Sequence, residues 1–261
     1  MQNRLSQNTV SRFREEGFIV LRGVLDDRLI EDVTAFVRAS LNPLVGPAEF
    51  EADVGYPGAP DHRQAEGGLT PRRLLHAYGR SSRLRDVGLH PEVVAAVNGL
   101  MGGPCLLSQC HHNCVMTKYP GYSSATMWHQ DIRYWSFDQP ELISAWFALG
   151  EENERNGALQ VIPGSHMASV DRGRFDAALF LRPELPENSA LLAMAETVVL
   201  QPGDVLLFHC RLFHAAARNA SSVVKLSPAF TYHHHENRPI PGTRSAEFPS
   251  IPLSSPFPLR N

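Results

Sequence analysis

Two histidines and one aspartate in this sequence could together hold a metal: His129 and Asp131 in the triplet His129-Gln130-Asp131, and His214 at the end of the run Gly203-Asp204-Val205-Leu206-Leu207-Phe208-His209-Cys210-Arg211-Leu212-Phe213-His214. On an extended strand, residues two apart project from the same face, so His129 and Asp131 can close on one ion while His214 arrives from a later strand. Two imidazoles and a carboxylate on one side of an ion leave its other side open, which suits Fe(II) handling dioxygen without haem. His209, five residues before His214 and also at a strand end, is an alternative third ligand. His111 and His112 are further candidates, but neighbours on a strand face opposite ways, so at most one of them points inward. The run His233-His234-His235 reads as exposed or hydrogen-bonded imidazoles.

The elements that must position these residues change character near Pro104. Before it, residues 8–16 read as a short helix, 17–25 as an apolar strand, and Leu29, Ile30, Val33, Phe36, Val37 and Leu41 recur at helical spacing behind a capping Asp26. Residues 43–68 are rich in Pro, Gly and acids and read as a long loop, a candidate lid over the site. Residues 71–78 and 91–101 look helical, the latter with Pro in its first turn and Gly102-Gly103 at its end. After Pro104, strands are expected at 105–118, 126–134, 142–149, 157–162, 197–201, 205–210, 213–217 and 223–233, with 168–195 as a rim segment. The proline-rich tail from Arg238 reads as irregular and draped over the surface. Helices followed by a run of strands predict a mainly β sandwich or barrel with flanking helices, one domain over residues 1–261.

Composition narrows the function. Lys and Arg number 24 against 27 Asp and Glu, a net charge of −3, so no long-range attraction draws the chain to nucleic acid or an anionic membrane. Hydrophobic residues at 43% and charged residues at 20% describe a soluble globular chain able to bury a core. Cys105, Cys110, Cys114 and Cys210 lack the paired spacings of a zinc ribbon and read as buried, reduced thiols. The charged N-terminal segment is unlike a secretory signal, the final residues are not a peroxisomal tripeptide, and no apolar stretch approaches the ~20 residues of a membrane helix. The expected location is the cytoplasm and the expected partner a small molecule. No interface stripe stands out, so the sequence leaves the oligomeric state open.

The setting of the triplet is more specific than the triplet. The segments Trp128-His129-Gln130-Asp131-Ile132-Arg133-Tyr134-Trp135-Ser136-Phe137, Leu142-Ile143-Ser144-Ala145-Trp146, Asn156-Gly157-Ala158-Leu159-Gln160-Val161-Ile162-Pro163-Gly164-Ser165-His166 and the run from Gly203 to His214 follow one another in order. Together they resemble the phytanoyl-CoA dioxygenase family of Fe(II)- and 2-oxoglutarate-dependent oxygenases, over the chain from about Glu15 to Tyr232. The resemblance implies a double-stranded β-helix, the cupin-like jelly roll, with Fe(II) on His129, Asp131 and His214 and with 2-oxoglutarate and dioxygen filling the open positions. It favours His214 over His209.

It also implies a cosubstrate pocket, and here the chain departs from its relatives. The family's distal histidine is followed eleven positions later by an arginine that binds the far carboxylate of 2-oxoglutarate; Asn219 and Ser221 fit the intervening pattern, but position 225 is Lys225. Lys225 and Ser227, two apart on one strand, can offer an ammonium and a hydroxyl to that carboxylate, with Arg218 as a fallback and Trp146 and Asn113 completing the set. Substrate-facing candidates are Arg133, Tyr134, Lys118, Tyr119 and His112, Arg133 suiting an anionic group. The implied reaction is hydroxylation of an unactivated C–H bond in a small polar or anionic metabolite, and the presence of Asp131 disfavours halogenation. Desaturation, demethylation or ring chemistry at the same iron is the alternative within enzymes; a jelly-roll protein that binds metal without turnover is the alternative outside them.

Overall fold

Ser6 and Asp26 start the first two helices by the same device, a side-chain oxygen that accepts one of the free amides of the first turn. Ser6 takes Thr9 N at 3.1 Å at the start of α1 (Gln7–Glu16), and Asp26 takes Leu29 N at 2.8 Å at the start of α2 (Asp27–Leu41). Gly17, at φ 82°, ends α1 and turns the chain into β1 (Phe18–Leu21). Three further helices precede the main run of strands: α3 (Ala77–Arg80), α4 (Ser82–Gly88) and α5 (Pro91–Met101). A sixth, α6 (Pro186–Leu192), lies in the segment expected at the rim. The computed structural model describes residues 5–253.

The strands after β1 are β2 (Ala48–Phe50), β3 (Pro71–Leu75), β4 (Cys105–Lys118), β5 (Thr126–His129), β6 (Leu142–Phe147), β7 (Leu159–Val161), β8 (Glu196–Thr197), β9 (Val205–His209), β10 (His214–Ala216), β11 (Lys225–His234) and β12 (Ile251–Pro252). They form two antiparallel sheets. The larger runs β1-β9-β6-β11-β4-β3-β2, with β12 added on β4; the smaller runs β5-β10-β7-β8. Alternation along the strands of the larger sheet sorts its side chains into two cores. Val205, Leu207, Ile143, Ala145, Phe147 and Phe230 pack outward against Val33, Val37, Val93 and Val97 of the helices. Leu206, Phe208, Trp146 and Ala229 pack inward against Leu159, Val161 and Ala216 of the smaller sheet. This is a mainly β jelly roll with helices on one outer face.

The chain departs from the sequence-based expectations in a few places. Of residues 71–78 only Ala77 and Tyr78 are helical, opening α3: Pro71–Leu75 is a strand whose Leu74 pairs with Val115 and is fully buried, and Pro71 sits at the strand start, where its missing N–H costs no ladder bond. The loop 43–68 is tethered, because β2 pairs with β3 and Glu51 is buried, accepting Ser124 N at 3.0 Å and Ser124 Oγ at 2.6 Å. The strand expected over 126–134 stops at His129 and passes into a 3-10 turn over Asp131–Tyr134. The tail is largely irregular, but contributes β12. The cysteines Cys105, Cys110, Cys114 and Cys210 are free and buried, as expected. Among the described residues no helix is long and apolar enough to cross a membrane.

Candidate metal centre and cosubstrate cavity

His129 closes β5 and His214 opens β10, and the two are direct partners across that antiparallel pair. Their rings face one another with centroids 4.2 Å apart. The chain must then leave the strand for Asp131 to reach the same point. The 3-10 turn does this, anchored by Ile132 N on Cys210 O at 3.0 Å and by the Gln130 side chain on Arg211 O, with Arg133 Nε donating to Gln130 Oε1 at 2.9 Å. Asp131 Oδ1 comes to rest 3.6 Å from His129 Nε2 and 3.7 Å from His214 Nε2.

The hydrogen bonds decide what these three residues fit. His129 Nδ1 donates to Met127 O at 2.8 Å and His214 Nδ1 donates to Leu212 O at 3.1 Å, so each ring carries its proton on the far nitrogen and turns an Nε2 lone pair inward. Two lone pairs and a carboxylate oxygen, all within 4.8 Å of one another, repel unless a cation stands between them. Burial, with His129 alongside, lowers His214 to about 4, which keeps its ring neutral and available as a ligand. The other oxygen, Asp131 Oδ2, takes His112 Nε2 at 3.1 Å and Ser144 Oγ at 3.5 Å, so the carboxylate is held with Oδ1 facing the histidines. Burial opposes a charge on His112, but Asp131 outweighs it and raises the imidazole to about 9; burial likewise opposes ionised Asp131, and His112 holds that carboxyl well below its ordinary value.

His112 reaches Asp131 because β4 is not a regular strand. Its pairing with β11 jumps from Asn113 opposite Phe230 to Ser108 opposite Thr231, which leaves residues 109–112 without partners. Alternation holds only within a regular ladder, so His111 and His112 both line the cavity, against the expectation that at most one would. His111 stacks on Trp135 with centroids 4.5 Å apart and shares a 2.9 Å hydrogen bond with Ser245 Oγ.

A cavity of about 240 Å³ opens from the three ligands. Lys225, Ser227 and Trp146 form part of its wall, and they converge on a group the sequence reading had missed. Glu152, fully buried, accepts Lys225 Nζ at 2.8 Å, Ser227 Oγ at 2.6 Å and Trp146 Nε1 at 3.0 and 3.1 Å. Its backbone exchanges hydrogen bonds with Leu200, at 2.9 and 3.0 Å, which fixes where the carboxylate can point.

Several expected site residues do line this cavity: His112, Lys118 and Tyr134, the last donating from its hydroxyl to Ala178 O at 2.6 Å. Others are elsewhere. Arg133 stacks over Phe175 at 3.6 Å with its Nε on Gln130, and it is not among the residues that line the cavity. Asn113 accepts Tyr78 N at 2.8 Å outside the cavity. Arg218 is held by Ser123 O at 2.9 Å and by Gly121 O, Tyr119 does not line this cavity, and His209 pairs with Glu141 at 2.9 Å. His233 is buried on Asn237 O at 2.8 Å and Ser250 Oγ at 2.7 Å. Arg72 and Arg73 line the cavity unforeseen, sharing Glu49 at 2.9 and 2.6 Å. Reading 71–78 as a helix had hidden them.

A jelly roll with two imidazole lone pairs and one carboxylate oxygen at its mouth defines a non-haem iron oxygenase of the 2-oxoglutarate-dependent class. Residues 13–226 match the model of the phytanoyl-CoA dioxygenase (PhyH) family, and the chain belongs to that family. It is 24% identical over 251 residues to the ectoine dioxygenase of Sphingopyxis alaskensis, covering 90% of this chain and 78% of that one. It is 28% identical over 222 residues to the peroxisomal phytanoyl-CoA dioxygenase of Homo sapiens, covering 79% of this chain and 62% of that one. Among solved structures it shares its fold with the non-haem α-ketoglutarate-dependent epimerase SnoN of nogalamycin biosynthesis, at a TM-score of 0.72 and 22% identity, covering 98% of this chain and 95% of that one. It shares it also with EctD from S. alaskensis, solved with 2-oxoglutarate and 5-hydroxyectoine, at a TM-score of 0.71 and 19% identity, covering 92% and 80%.

Proposed function

We propose that His129, Asp131 and His214 hold Fe(II), that 2-oxoglutarate is the cosubstrate, and that the enzyme hydroxylates an unactivated C–H bond of a small polar or anionic metabolite. The observation that carries this reading is the inward turn of both Nε2 lone pairs onto Asp131 Oδ1, fixed from behind by Met127 O and Leu212 O. Iron in such a site supplies dioxygen activation coupled to the oxidative decarboxylation of 2-oxoglutarate to succinate. The protein supplies the rest. His112 and Ser144 fix the orientation of Asp131, and Trp146, Leu159 and Phe208 line the inner cavity with apolar surface that excludes water.

The preference for a polar or anionic substrate no longer rests on Arg133. It rests on Arg72 and Arg73, two guanidinium groups sharing one carboxylate, and on Arg244, which is exposed and lines the same cavity. The relatives are named for ectoine, phytanoyl-CoA and hypophosphite, which agrees with a small or charged substrate. The chain is read as one catalytic domain acting in the cytoplasm.

The test is succinate formation with Fe(II), 2-oxoglutarate and a panel of small carboxylates, phosphonates and zwitterions. Coupled turnover by the wild type, lost in His129→Ala and Asp131→Ala, supports the reading. No succinate from any mixture, with iron shown to be bound, overturns it.

A further inference from the structure

The carboxylate-binding cradle of this cavity already holds a carboxylate. Lys225, Ser227 and Trp146 donate four hydrogen bonds to Glu152, which is fully buried, and the Lys225–Glu152 pair is neutral as a unit. A second carboxylate placed on Lys225 would share one ammonium with Glu152 in a buried site, where like charges repel strongly. The cosubstrate's far carboxylate therefore needs a different cation.

Of the cations that line the cavity, Arg244 is exposed, Lys225 is paired with Glu152, and Arg72 and Arg73 share Glu49. Lys118 stands directly opposite Lys225 in the register of β4 and β11 and lines the cavity, and its ammonium makes one hydrogen bond, to the carbonyl of Ser124 at 3.1 Å. Among the described residues it has no carboxylate within ion-pair distance; Glu51, which lines the same cavity, is turned to Ser124 N and Oγ at 3.0 and 2.6 Å. The side chain is also given room. Gly157, at φ +73°, lies against it, and a Cβ there would stand 2.9 Å from Lys118 Cε. A half-buried ammonium with three donors and one acceptor, facing the cavity, lacks an anion.

We propose that Lys118, and not Lys225, supplies the charge that meets the far carboxylate of 2-oxoglutarate, while the Lys225–Glu152 pair acts as a neutral brace that positions Trp146 and Ser227. The assignment rests on the cosubstrate reading above. The electrostatics of the site point the same way: burial, with Lys225 and Arg72 nearby, lowers Lys118 to about 7, against the opposing pull of Glu51 and Glu152. A bound carboxylate favours the ammonium, so 2-oxoglutarate binding takes up a proton above pH 7 and weakens as the pH rises through that range.

The experiment is anaerobic calorimetry of Fe(II)-loaded enzyme with 2-oxoglutarate and with 2-oxopentanoate, which keeps the keto-acid end and chain length but lacks the far carboxylate. Lys118→Met is expected to weaken 2-oxoglutarate at least tenfold and 2-oxopentanoate less than about twofold. Lys118→Arg should restore most of the affinity and flatten its decline above pH 7, because arginine stays charged. The paired variant Glu152→Gln/Lys225→Met, which removes both charges together, should lose less 2-oxoglutarate affinity than Lys118→Met. Equal losses for the two ligands in Lys118→Met, or the larger loss in the paired variant, overturns the assignment alone. A wild type that binds Fe(II) but not 2-oxoglutarate overturns the cosubstrate reading and the assignment with it.

Discussion

Asp131 divides its two oxygens between different tasks, Oδ1 toward His129 and His214 and Oδ2 toward His112 and Ser144. Outer partners of this kind fix a ligand's orientation, and their loss typically costs about 10–100-fold in metal affinity. His112→Ala is expected to show a loss in that range, read by Fe(II) titration under nitrogen. Glu152 makes the opposite kind of contribution. It does not reach the cavity, but its removal strands a buried ammonium, so Glu152→Ala should destabilise the fold by about 3–5 kcal/mol in denaturant unfolding, most of it recovered in Glu152→Ala/Lys225→Met. The cluster of His129, Asp131 and His214 was legible in the sequence because its motif brings its own neighbours. Glu152 was not, because one of two adjacent acids in Gly150-Glu151-Glu152-Asn153 gives no sign of a partner 73 residues away.

The elements explain which other residues sequence could place. α2 and α5 were readable because a helix carries its start, its period and its stop within one segment, as Asp26 and Gly102 show. β3 was not, because five residues, Pro71-Arg72-Arg73-Leu74-Leu75, become a strand through their partners β2 and β4 rather than through local preference. The unpaired stretch 109–112 in β4 was equally silent, and it is what delivers His112. Gly157 is the element-scale position to probe, since it ends a 3-10 turn at φ +73° and an added Cβ would collide with Ala217 O. Gly157→Ala should cost about 1–3 kcal/mol in stability and displace Lys118. Thermal melts alongside 2-oxoglutarate titration would separate these two effects.

At the scale of the whole molecule, the net charge of −3 conceals a cavity walled by Arg72, Arg73, Lys118, Lys225 and Arg244. Attraction of an anion is therefore a local effect, felt near the mouth and screened beyond ~8 Å at physiological salt. The candidate metal centre joins β5, β10 and the turn after β5, so an ion there would tie segments that are remote in sequence. Saturating Fe(II) should raise the melting temperature, by about 2.7 kcal/mol of stability at a hundredfold excess over Kd, with reversal by chelator and no effect on Asp131→Ala.

The order of the larger sheet has one more consequence. β1 covers the open flank of β9, whose residues Val205-Leu206-Leu207-Phe208-His209 are all buried. A chain shortened to begin after Leu21 would bare a row of unpaired amides and carbonyls on an apolar strand, a template on which copies can polymerise edge to edge. β1 thus guards the sheet against edge-to-edge association as well as completing the fold.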